Sequence, residues 1–68
     1  MEVTEEGSRI MLTWKREDVE DVEKARAFFT KQIRQGWFAV KGDGKLQRVL
    51  EFKPEYGKIW FVPLSEGG

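Results

Sequence analysis

Cysteine and histidine are both absent from the 68 residues, and proline occurs only twice. Without cysteine there is no disulfide framework and no thiolate metal site. Without histidine the commonest metal ligand and the commonest general base are missing as well. No apolar run approaches the ~18 residues that a membrane span needs. The opening "MEVTEEGS" is acidic and polar, the wrong character for a secretory or organellar presequence. A soluble chain in the cytoplasm, or associated with a virion, is expected. Net charge is lacking too, because twelve bases balance twelve acids. Overall charge therefore selects no partner.

The chain does have aromatic weight, with five Phe, three Trp and one Tyr. It also has charge polarity. Residues 1–23 are rich in acids and residues 24–48 in bases, a layout that steers a partner or simply reflects one helix with a charged start and end. At this length one domain is expected, over residues 9–64, with an arm at 1–8 and a tail at 65–68. A domain of about 60 residues buries only roughly 60% of its unfolded surface. With disulfides and metals excluded, regular packing or oligomerisation must supply the remaining stability.

In "RIMLTW", Ile10, Leu12 and Trp14 alternate with Arg9, Met11 and Thr13, as a half-buried strand requires. Residues 1–8 are expected either as a frayed arm or as a short first strand, "MEV", turning through "EEGS". "REDVEDVEKARAFFTKQIRQG" places Val19, Val22, Ala25, Phe29 and Ile33 on one helical stripe with Phe28 at its margin. Asp18 is a good N-cap, and Gly36 is placed to close the helix in a left-handed conformation. Next, "WFAVKGDGKLQRVLEF" reads as a hairpin. Trp37–Lys41 is one strand, Asp43-Gly44 the tight turn, and Lys45–Phe52 the return, with Leu46, Leu50 and Phe52 on one face. "KPEYGK" turns again, and "KIWFVPL" is a last strand that is apolar on both faces, so it is either central or a contact surface. Pairing should lapse at Pro63. The expected fold is α+β, in the order β-α-β-β-β with an optional short strand in front. One helix packs on a small, mainly antiparallel sheet, and the strands flanking the helix are placed to pair in parallel through a right-handed crossover.

Catalysis finds little to work with. The hydroxyls available are Ser8, Ser65, Thr4, Thr13, Thr30 and Tyr56, with only lysine or carboxylate bases. Carboxylates such as Glu17, Asp21, Glu20 and Glu23 crowd a helix start, where capping and the helix dipole explain them better than a metal does. "GDG" sits in a hairpin turn with no helix after it, so it is no phosphate loop. No enzyme activity, cofactor or metal site is expected. Arg34, Trp37, Lys41, Lys45 and Arg48 combine an aromatic with bases, as a single-stranded nucleic-acid site does. Neutrality weighs against this reading, and a solvated basic face is its simpler alternative. Protein contact fits better. If Trp60, Val62 and Leu64 occupy the sheet face away from the helix, with Trp37 and Tyr56 as neighbours, they form the kind of exposed apolar stripe that marks an interface. Its occupant is then either a protein partner or a second copy of the chain.

The last residues, "IWFVPLSEGG", resemble the ends of ubiquitin-like modifiers and sulfur carriers, which finish in Gly-Gly after a final strand. That resemblance implies a carrier whose Gly67 and Gly68 thread an activating enzyme and present the terminal carboxylate. A second resemblance covers residues 11–68. "MLTW", an acidic helix containing "ARAFF", then "GWFAV", "LEFKPEYGKI" and "VPLSEGG" are similar to a small, mostly uncharacterised family met in phages and prophages. It implies an accessory or structural role and assigns no catalytic residue.

Overall fold

In the computed structural model, residues 1–42 and 47–63 are described. Five strands and one helix follow one another as β1 (Glu2–Glu6), β2 (Arg9–Thr13), α1 (Val19–Arg34), β3 (Trp37–Lys41), β4 (Gln47–Arg48) and β5 (Lys58–Pro63), with a 3₁₀ turn at Pro54–Tyr56. The strands form one sheet in the order β1-β2-β5-β3-β4, and every pairing is antiparallel. The chain is therefore an α+β domain with a helix on a five-stranded sheet.

The segment ahead of β2 is a strand rather than a frayed arm. Its partners, Val3↔Leu12 and Glu6↔Arg9, leave a two-residue turn at Gly7 and Ser8. Gly7 has φ 61°, a left-handed value that glycine reaches without a Cβ clash. All five residues of β1 are exposed, so backbone hydrogen bonds rather than burial hold it. Its glutamates also discourage a further strand from adding at that edge.

The expected parallel pairing of the strands flanking the helix does not occur. Strands β2 and β3 do run parallel to each other, but β5 lies between them, antiparallel to both. The reason lies in the sequence of β5. It is the strand that is apolar on both faces, and the centre of a sheet is where such a strand loses most water-exposed surface. Ile59 and Phe61 point towards the helix and are completely buried, and burial of each ring or branched chain contributes about 2 kcal/mol.

The helix begins and ends as its sequence requires. The Asp18 carboxylate accepts from the Glu20 and Asp21 amides at 3.1 and 3.3 Å, and Gly36 closes the last turn at φ 95°. Its buried stripe, however, is rotated from the expected one. Ala25, Phe29 and Gln32 face the sheet, with Val22 and Phe28 half-buried at the sides. Val19 is 73% and Ile33 40% exposed. With 3.6 residues per turn, Val19 stands roughly 115° and Ile33 roughly 75° from the centre of that stripe. The displacement was hidden because the stripe includes a polar residue, Gln32. Its Oε1 is buried with no hydrogen-bond partner.

The return strand after β3 is also shorter than expected. β4 pairs as Val40↔Arg48 and Lys41↔Gln47. That is one residue out of the register that a two-residue Asp43-Gly44 turn imposes; Asp43, Gly44, Lys45 and Leu46 lie outside the described residues. The Val49 amide donates to the Ala39 carbonyl at 2.8 Å, and then the chain leaves the sheet. Leu50 is 79% exposed. Phe52 instead turns under the helix, with its ring centroid 4.9 Å from that of Trp14 and 5.8 Å from that of Phe29. The Trp14 indole N–H donates to the Pro54 carbonyl at 3.0 Å, which pins the 3₁₀ turn to the end of β2.

Replacing Gln32 with Leu removes a buried, unpaired oxygen from an apolar contact. Chemical denaturation should show the variant more stable by about 1–2 kcal/mol. The Met1 amine and the Lys15 backbone N–H both donate to Asp21 and hold its carboxyl below the usual carboxylate range. A depressed folded-state pKa means that this carboxylate's contribution is present above the unfolded value and disappears as pH falls through the folded one. The stability difference between the parent and Asp21→Asn should therefore shrink on acidification below about pH 4, as followed by thermal melts.

Candidate functional site

Directly opposed residues of an antiparallel pair point to the same side of a sheet, so the register assigns every strand residue to a face. Ile10, Leu12, Ala39, Ile59 and Phe61 face the helix and form the buried core. The other face is made by the alternate positions. One row runs Thr4, Met11, Trp60, Val40 and Arg48 from edge to edge. Beside it Glu6 pairs with Arg9, and Val62 pairs with Phe38. Glu2 pairs with Thr13, and Thr13 with Lys58, in a third row.

No described element covers this second face. Met11, Phe38, Val40, Trp60 and Val62 are each only partly buried there, and together they form a contiguous apolar patch at the middle of the sheet. Two guanidinium groups lie over its rings. Arg48 Cζ is 4.3 Å from the Phe38 ring centroid and Arg9 Cζ 5.7 Å from that of Trp60. Such stacking stabilises by about 0.5–1 kcal/mol at exposed sites.

Trp60 and Val62, read from the sequence as interface residues, thus stand on the open face. Leu64, Gly67 and Gly68 lie outside the described residues, as does Lys45. Trp37 and Tyr56 are not neighbours of Trp60. Both pack against the core on the helix side, since Trp37 shares the parity of Ala39 along β3, and Tyr56 sits in the turn that Trp14 anchors. A concavity of about 240 Å³ beside β3 is lined by Trp37, Ile33 and Leu50 and also by Phe38 and Arg48. The proposed nucleic-acid set is likewise divided. Arg34 is exposed in the last turn of α1. Lys41 points to the helix side, where its Nζ lies 5.0 Å from the Tyr56 centroid and donates to Gln47 Oε1 at 3.4 Å. Of the described members only Arg48 reaches the open face. Met11, Val40 and Arg9, which the sequence reading leaves out, complete the patch together with Phe38, an aromatic that the sequence sets beside Trp37 among the same bases. Strand alternation carried the signal for Phe38, since its neighbour Trp37 had to point the opposite way.

Among the described residues no group of three or more carboxylates is disposed to hold a metal ion, and no helix is long and apolar enough to cross a membrane. The chain matches no protein family, no curated protein and no solved structure. Its chemistry is therefore read from the arrangement of its own residues.

Adjacent residues on β5 should respond oppositely to truncation. Phe61→Ala opens the core and should cost about 3–5 kcal/mol, enough to unfold a domain of this size. Trp60→Thr leaves the helix-side packing untouched and keeps a good strand former, so denaturant titration should show a loss of no more than about 1 kcal/mol.

Proposed function

We propose that this chain is a small, non-enzymatic protein-interaction domain whose contact surface is the open face of the sheet, centred on Trp60. The observation that supports this is the contiguous patch of Met11, Phe38, Val40, Trp60 and Val62 on a face with no covering element among the described residues. A tryptophan at the centre of an apolar patch, ringed by arginine, is the usual composition of an interaction hot spot. Burial of such a patch against another protein also supplies stability that a core this small lacks. The absence of histidine and cysteine supports a role without acid–base or nucleophilic chemistry. The resemblance of residues 11–68 to small phage and prophage proteins supports an accessory or structural role in such an element, in the cytoplasm or on the virion. In this reading the Gly-Gly tail is dispensable for contact, whereas in a sulfur carrier it is the reactive end.

A second reading, single-stranded nucleic-acid binding, draws support from Arg9 and Arg48 stacked over Trp60 and Phe38 on one sheet face. The acids of β1 at the edge of that face and the zero net charge favour protein.

Trp60→Asp and Val62→Asp should each weaken partner binding at least about tenfold while far-ultraviolet circular dichroism is unchanged. Substitutions of Tyr56 should act on stability alone, and deletion of Gly67 and Gly68 should leave affinity as it was. Loss of binding on tail deletion, with both aspartate variants binding normally, would replace this reading with the carrier.

A further inference from the structure

Resting on the reading of the open face as the contact surface, we propose that its occupant is a second copy of this chain. The two sheets pack face to face about a two-fold axis that runs along β5. The charges on the open face carry the inference. At the β1 edge Glu2 and Glu6 flank Thr4, with Arg9 of β2 beside Glu6 and lying over Trp60; at the β4 edge stands Arg48, and the apolar patch lies between. A uniformly acidic or basic partner meets its own sign at one of those edges. A partner carrying the same gradient in reverse matches both, and the chain itself becomes that partner when turned over.

The axis follows from the register. A two-fold axis parallel to β5 exchanges the edges of the sheet, so β1 of one copy lies over β4 of the other. Arg48 then falls opposite Thr4 of its mate, between Glu2 and Glu6. Met11 lies over Val40, while Trp60 and Val62 meet their own copies on the axis. An axis across the strands instead stacks β1 on β1 and β4 on β4, with like charges opposed at both edges. An isologous contact of this kind is self-complementary by construction, and aligned sheets pack with a rotation of about 30° that the sheet twist supplies. Lys58 also meets its counterpart near the axis, at the end of β5. Its long stem lets the ammonium reach water at the rim, and this repulsion limits affinity.

The size of the face limits it further. Four strands about 17 Å long and the two-residue β4, all about 4.8 Å apart, give roughly 360 Å² per copy. Contacts of this area are weak and transient, so half-dimerisation is expected at tens to hundreds of micromolar.

Sedimentation equilibrium from about 5 μM to about 1 mM tests the proposal. The expected result is a reversible monomer–dimer equilibrium that Trp60→Asp abolishes. Arg48→Glu, and separately Glu2→Lys with Glu6→Lys, should each weaken it at least about tenfold, and the triple reversal should restore it. These surface variants leave the core intact, so they keep the test decisive even if Trp60→Asp perturbs folding. A wild-type chain that stays monomeric throughout overturns the proposal, as does a dimer indifferent to Trp60→Asp or one that the triple reversal does not restore. A monomer that still loses a heterologous protein partner on Trp60→Asp overturns self-pairing and leaves the interaction reading standing. Trp60-dependent binding of a short oligothymidine by a monomeric chain overturns both.

Discussion

One helix can cover one face of a five-stranded sheet. That geometric constraint orders this molecule, and β5 is where it acts most directly. The strand is flanked on both sides, and its side chains divide strictly by parity. Ile59 and Phe61 go to the helix, where Phe28 and Phe29 close over Phe61 at centroid distances of 5.8 and 6.1 Å. Trp60 and Val62 go to the opposite side. A strand built for burial on both faces has, among the described residues, cover on one. The hydrophobic effect that draws β5 to the centre of the sheet also leaves Trp60 and Val62 only partly buried on its other face.

The covered side is a chain of aromatic contacts. Trp14, Phe52, Phe29, Phe61 and Phe28 touch in sequence, and the Arg26 guanidinium lies 5.4 Å from the Phe52 ring at the boundary with water. Phe52 takes a place that a longer return strand would have denied it. Because β4 ends after Arg48, the following segment is free to cross beneath the helix and carry its ring to Trp14. The 3₁₀ turn and the indole N–H bond to Pro54 then deliver the chain to the start of β5. Local packing thus takes precedence over extending the hairpin.

Much of this was legible in the residues themselves. The capping by Asp18, the stop at Gly36, the alternation of Arg9–Trp14 and the two-faced character of β5 are local signals, and each predicts its element. Wherever competition between distant segments decides, the sequence is silent. Nothing local distinguishes β5 inserting between β2 and β3 from those two pairing directly. The buried stripe of the helix is offset from the apolar one, since a buried glutamine carries no hydrophobic signal and Val19 and Ile33 carry a misleading one. At the open face, Trp60 and Val62 were readable from parity. Trp37 and Tyr56 were assigned there by composition, although parity for the first and the anchored turn for the second place them with the core. β1 was ambiguous because its residues gain almost nothing from burial and are held by the ladder alone.

The insertion of β5 also sets the order in which the molecule can assemble. The N-terminal hairpin and the helix arise early along the chain, yet neither half of the sheet can reach the other until residues 58–63 arrive to fill the gap. Closure links segments far apart in sequence in a single step, which makes it slow to nucleate and cooperative once begun. The sheet is thus completed by the strand that comes last among them in the chain.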